Sequence, residues 1–222
     1  MRFFKPILII FLICYLPLSS LAIEKDALGD NLIFAAKKGL LEDARSAISS
    51  GADINKKRND GATPLLIASL KGHTEIVRLL LESGADISIA DDYGFTPLLI
   101  ASQEGHIEIF KMLLESEADV NIAATNSATP LIIASEIGRT EIVKLLLDSG
   151  ADANLAAAGG FTPLLIASQE GHIEIVKLLL KMQVDVNAGM QNGQEIHTPL
   201  SLAKKEGHSQ IIKLLKDYGA KE

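Results

Sequence analysis

The tripeptide Thr-Pro-Leu recurs at residues 63–65, 96–98, 129–131 and 162–164, each copy 33 positions after the last, and returns at 198–200 after 36. A fixed period of this length constrains the fold more than any local propensity does, because each period must be one repeating supersecondary unit. Glycine keeps the same step at Gly72, Gly105, Gly138 and Gly171, with Gly207 following the three extra residues. A third phase reads GADI at 51–54 and 84–87, EADV at 117–120, GADA at 150–153 and QVDV at 183–186. The words GFTPLLIASQEGHIEI occur letter for letter at 94–109 and 160–175, two periods apart. The units between match as well, Ala62 and Thr74 with Ala128 and Thr140, so a two-repeat block has been copied. Copying by itself accounts for most of the identity.

Each unit follows from elementary helix chemistry. The Thr63 hydroxyl is suited to accept an orphan backbone N–H as an N-cap, and Pro64 fits the first helical position, where no N–H is needed. A helix of about two turns then runs through Leu65, Leu66, Ile67 and Ala68 until Gly72 permits a left-handed turn. Glu75 falls in the first turn of a second helix, favourable against its positive end, and Ile76, Val77, Leu79, Leu80 and Leu81 give a broad apolar face. Gly84 closes that helix and residues 86–94 form a loop. Helices below about 12–15 residues are marginal alone in water, so each pair must stack on its neighbours. The expected result is a linear array with a continuous core and polar caps at both ends. Residues 30–60 lack Thr-Pro-Leu but carry Lys37, Lys38, Glu42, Asp43 and Arg45, and the last unit carries Lys204, Lys205, Glu206, Lys213 and Lys216.

These motifs resemble the ankyrin repeat family, whose unit reads Gly-x-Thr-Pro-Leu-His, then Gly-His-x-Glu, then Gly-Ala-Asp-Val-Asn. The resemblance covers residues 30–220. It implies an all-α solenoid of stacked helix-turn-helix units with loop or β-hairpin fingers. On that pattern the chain divides into a capping repeat at 30–60, repeats at 61–93, 94–126 and 127–159, a repeat with an extended loop at 160–196, and a capping repeat at 197–222. One departure is regular. Where the family has His after Thr-Pro-Leu, this chain has Leu66, Leu99, Ile132, Leu165 and Ser201, so apolar packing is expected to replace that histidine's hydrogen bond.

The first residues stand outside the repeat. MRFFKPILIIFLICYLPLSSLA has a basic start at Arg2 and Lys5, an apolar run over 7–16, and small residues Ser20 and Ala22 spaced for signal peptidase. It reads as a secretory signal peptide over 1–22, cleaved after Ala22, with 23–29 a short linker. The rival reading, a retained membrane anchor, asks for roughly 20 spanning residues, whereas 6–21 is interrupted by Pro17 and ends in Ser19 and Ser20. The single cysteine, Cys14, lies within this segment, and Ile13 before it does not suit a lipoprotein signal. A cleaved chain therefore has no thiol, and can enter an oxidising compartment, secreted or periplasmic, without mispairing. Acidic residues outnumber basic ones by 28 to 21, and cleavage removes two more cations. Nucleic acid and anionic membrane surfaces, which require basic patches, are thus not expected partners.

No catalytic residue, metal site or cofactor is expected. His73, His106, His172 and His208 follow the turn glycines, but stacked helices lie about 8–10 Å apart, too far for two imidazoles to share zinc at about 2.1 Å each. Arg139 also interrupts that series. Ser69, Ser102, Ser135 and Ser168 sit in no Gly-x-Ser-x-Gly context, and read as helix residues whose hydroxyls bond the carbonyl four residues earlier. Glu75, Glu108, Glu141 and Glu174 repeat for the helix-start reason, which makes any acid–base pairing among them arbitrary. An enzyme is the weakest of the available readings.

What the resemblance implies instead is a protein-binding module working through its loop tips and the inner face of its first helices. The letters that vary between repeats fall on those surfaces. The tips run Arg58-Asn59-Asp60, Asp91-Asp92-Tyr93, Ala124-Thr125-Asn126 and Ala157-Ala158-Gly159, and the next position reads Ala62, Phe95, Ala128, Phe161 and His197. On the first helices they are Leu70-Lys71, Gln103-Glu104, Glu136-Ile137, Gln169-Glu170 and Lys205-Glu206. The candidate contact residues are Tyr93, Phe95 and Phe161 as aromatic anchors, with Arg58, Asp91, Asp92, Gln103, Glu104, Gln169 and Glu170 around them. The opposing reading of the two phenylalanines is local packing against the neighbouring loop. Alanine at the three aromatics is expected to weaken binding while leaving the melting temperature nearly unchanged. The long loop at 187–197 is either a second contact or a tolerated surface insertion. The chain is expected to be a monomer that binds one protein partner, touching a membrane only if residues 1–22 are retained.

Overall fold

A computed structural model describes residues 18–192 and 195–221. The leader read over 1–22 lies outside the described residues as far as residue 17. From Leu18 onward the chain is helical, so the expected linker at 23–29 is instead part of a helix.

Among the described residues the elements are α1 (Leu18–Lys38), α2 (Leu41–Ser49), α3 (Pro64–Lys71), α4 (Thr74–Glu82), α5 (Pro97–Glu104), α6 (Ile107–Glu115), α7 (Pro130–Ile137), α8 (Thr140–Asp148), α9 (Pro163–Glu170), α10 (Ile173–Lys181), β1 (Met190–Asn192), β2 (Glu195–His197), α11 (Pro199–Lys205) and α12 (Ser209–Asp217). The first helices α1, α3, α5, α7, α9 and α11 stack in one row, and the second helices α2, α4, α6, α8, α10 and α12 in another. This is the solenoid of stacked helix-turn-helix units that the resemblance implies.

The local signals act as expected. Thr63, Thr96, Thr129 and Thr162 each accept a hydrogen bond from the backbone N–H three residues on, with proline at the first helical position. Thr198 goes further: its hydroxyl accepts from Ser201 N at 3.1 Å while Ser201 Oγ accepts from Thr198 N at 2.9 Å. This reciprocal cap satisfies two orphan donors at once. Leu66, Leu99, Ile132 and Leu165 are buried, so apolar packing does replace the family's histidine. The turn glycines adopt left-handed backbone at Gly72, Gly105, Gly138 and Gly171. Among the described residues, three that are not glycine adopt the same region. Glu117 (φ 64°) and Gln183 (φ 56°) stand where other repeats have Gly51, Gly84 and Gly150, and Ser127 (φ 62°) stands where others have Gly61, Gly94 and Gly160.

One continuous core runs from Leu32 to Leu215. The serine ladder lies inside it, but behaves differently from the expectation. Ser102 Oγ bonds Leu98 O at 2.7 Å, whereas the hydroxyls of Ser69, Ser135 and Ser168 are buried without a partner. The back-bonding inferred from helix geometry is thus realised in one repeat of four, because a serine hydroxyl can occupy rotamers that miss the carbonyl.

At the N-terminal end, Lys56 reaches across to α1, with its ammonium at 2.5 Å from Asp26 Oδ1, 2.8 Å from Asp26 O and 2.8 Å from Asp30 Oδ1. The two carboxylates hold the Lys56 pKa above its usual value, Asp26 chiefly. Gly29 makes this approach possible, since a β-carbon there would meet the lysine stem. The N-terminal cap is not wholly polar, for Phe34 is 55% exposed.

Candidate partner-binding face

The fingers are built from tight backbone turns. The pairs Arg58 N–Ala62 O, Asp91 N–Phe95 O, Ala124 N–Ala128 O and Ala157 N–Phe161 O close at 3.0–3.1 Å, each over a shorter turn ending at Gly61, Gly94, Ser127 or Gly160. Neighbouring fingers are joined edge to edge by Asp92 N–Asp60 O, Thr125 N–Tyr93 O and Ala158 N–Asn126 O. The extended loop forms its own antiparallel hairpin, β1 on β2, with Gln191 opposite Ile196. Ile196 is 68% exposed on it.

Between the fingers and the first helices lies a second, smaller apolar cluster: Leu99, Ile132, Ile133 and Ile166 from the helices, Ala124 and Ala128 from the fingers. Phe95 and Phe161 pack against it half-buried. Tips and first helices therefore face one another across a shared floor.

Against this geometry the sequence-derived candidates separate. Tyr93 is 68% exposed, at the crest of its finger. Phe95 and Phe161 pack half-buried against the second cluster, so the expectation that alanine leaves stability unchanged does not extend to them. Asp91 is committed to its own turn, its Oδ1 accepting from Tyr93 N at 3.0 Å and Phe95 N at 2.8 Å. Arg58 is exposed and pairs with Asp60 at 2.9 Å, while Asp92 is exposed and tied through its backbone to the preceding finger. Gln103 donates to Glu104 at 2.8 Å and Gln169 to Glu170 at 3.1 Å, which presents an amide and a carboxylate as a unit on each helix.

One groove gathers several of these groups. About 250 Å³ in volume, it has Phe161 and Ile166 along its floor, Ala157 and Ala158 on the finger side, and Glu136 and Glu170 at the helix side. Ile132 and Ile166 belong to this floor, yet their letters read as plain core positions. The signal that marks them is the run of alanines opposite, Ala128, Ala157 and Ala158, which line the same groove.

The histidines serve the junctions between repeats. The ring of His73 lies against Gly39, His106 against Gly72, His172 against Gly138 and His208 against Gly171, and the Arg139 guanidinium takes the same place against Gly105. His172 Nε2 is 3.0 Å from Glu136 O, His208 Nε2 is 2.9 Å from Gln169 O, and Arg139 Nε donates to Gln103 O at 3.2 Å. These bonds satisfy carbonyls at first-helix ends, where no intrahelical donor remains. Each ring sits at its own junction. Among the described residues no cluster of histidine and carboxylate side chains is disposed to hold a metal, and no helix is long and apolar enough to cross a membrane.

A family model for ankyrin repeats, three copies long, matches residues 32–124 and 121–190. No curated protein gives a significant match to the sequence.

Proposed function

The chain belongs to the ankyrin repeat family, and on that premise we propose that it is a non-catalytic scaffold, exported from the cytoplasm, that binds a protein partner along its fingertips and first-helix face. Ankyrin repeats are protein-interaction scaffolds as a family. The observation that carries the finer reading is the convergence of the variable letters on one face. Tyr93 stands exposed on its finger, Phe161 lines the same groove as Gln169 and Glu170, and the apolar letters that stay fixed in the first and second helices are buried. Aromatic side chains on a rigid scaffold gain contact area at little ordering cost. Repeat cores serve many ligands, so specificity resides in these surface letters.

The first test is a cross-linked pull-down from the compartment where the protein is found, comparing wild type with Tyr93→Ala and with Phe95→Ala/Phe161→Ala. A protein captured by wild type and lost from Tyr93→Ala, a variant that retains its melting temperature, supports the reading. Equal capture by all three moves the contact away from the fingertips. Export is tested by intact mass: a chain beginning at Ile23 supports a cleaved leader, and a full-length mass in the membrane fraction makes the protein a tethered scaffold instead.

A further inference from the structure

We infer that the groove beside Phe161 receives a basic side chain, arginine or lysine, from an extended segment of the protein partner. The inference rests on the protein-binding reading above and narrows it to a ligand chemistry. Its basis is the contrast between floor and rim. The floor is apolar: Ile132 and Ile166, almost fully buried, lie beside the half-buried Phe161 ring. The rim is acidic, since among the described residues the charged ones lining the groove are Glu136 and Glu170, both exposed. On the finger side the groove is lined by the small residues Ala128, Ala157 and Ala158.

Long basic side chains suit such a place by construction. Their methylene stems bury against apolar surface while the charged head stays at the rim. An aromatic face beside the cation adds attraction, and Phe161 is positioned to supply it. Among the described residues neither carboxylate of the groove has a protein cation within 4 Å, Glu170 accepting only from Gln169, while along the face Glu104 precedes the pair and Lys205 follows it. An acidic or purely apolar segment would leave these carboxylates facing like charge or facing no counter-charge.

The test is selection of a random twelve-residue peptide library against the chain starting at Ile23, followed by affinity measurement of the enriched peptides on wild type and on Glu136→Gln/Glu170→Gln. The substitution keeps shape and hydrogen-bonding oxygen, and both positions are exposed, so thermal unfolding should be unchanged. The expected result is enrichment of peptides with arginine or lysine flanked by apolar residues, binding about five- to tenfold more weakly to the double variant and more weakly at high salt. Enriched peptides without basic residues, or basic peptides that bind both proteins equally, overturn the inference and leave the protein-binding reading standing. Failure to enrich any peptide overturns both.

Discussion

The same sixteen letters, at 94–109 and at 160–175, occupy two places in this molecule, and their backbones are nearly interchangeable. Thr96 and Thr162 cap in the same way, Gly105 and Gly171 both turn at φ 82°, and Leu98 and Leu164 are both 1% exposed. Their surroundings differ. Gly105 faces the guanidinium of Arg139, whereas Gly171 faces the imidazole of His208. Ser102 bonds a carbonyl, whereas Ser168 has no partner. Phe95 follows the acidic tip Asp91-Asp92-Tyr93, whereas Phe161 follows Ala157-Ala158-Gly159 and borders an open groove. Identical words therefore specify identical helices, while their neighbours specify what each presents to solvent.

The equivalence is tested most strongly in the core. Leu98→Ala and Leu164→Ala should each cost about 2–5 kcal/mol and nearly the same amount, because each leucine lies between first helices of the same kind. A clear difference by urea denaturation would show that the interior repeats are energetically unequal despite their shared letters.

The junctions should break the symmetry. Alanine at either turn glycine meets left-handed strain of roughly 1–2 kcal/mol. At Gly171 the added carbon also meets the His208 ring at 2.7 Å, and that ring is held by Gln169 O. At Gly105 it meets Arg139 at 2.9 Å, on a longer, exposed side chain whose bond to Gln103 O, at 3.2 Å, is the weaker hold. Gly171→Ala should therefore lower the melting temperature more than Gly105→Ala. Equal effects would mean that His208 yields as readily as Arg139.

A smaller contrast is expected at the serines. Ser102→Ala should cost about 1 kcal/mol for its lost hydrogen bond, whereas Ser168→Ala should be neutral or stabilising, because a buried unpartnered hydroxyl is itself unfavourable. Identical effects in the same denaturation assay would show that the two hydroxyls sample one common set of rotamers.

The smallest expected effect is a gain shared by both copies. Each is followed at the same position by a left-handed non-glycine residue, Glu117 or Gln183. Glu117→Gly and Gln183→Gly should each stabilise by about 0.5 kcal/mol, strain relief exceeding the entropy that glycine adds to the unfolded chain. A fall in melting temperature would show that the entropy wins.

Much of the fold was legible before any coordinates. Threonine, proline and glycine act within four or five residues of themselves, so helix starts and stops could be read from their spacing, and the apolar second-helix face could be read from its own period. The candidate site was legible only in part. Tyr93 is exposed as its tip position suggested, but Phe95 and Phe161 differ from it in being half-buried, and nothing adjacent in sequence distinguishes the cases. Asp91 resembled a free surface acid until its carboxylate was seen to be used by the turn that displays Tyr93. The groove was less legible still, since Ile132 and Ile166 carry core letters and only the stacking sets them beside the small residues of the finger.

Sequence alone, then, determined the period, the two-helix unit and the threonine helix caps, because each depends on short-range backbone chemistry repeated at a fixed step. Only the tertiary structure decided where His172, His208 and Arg139 direct their donors, which serine hydroxyl finds a carbonyl, and where the finger row leaves a groove open. Those features depend on atoms brought together from positions about one repeat apart, a proximity created by the stacking itself.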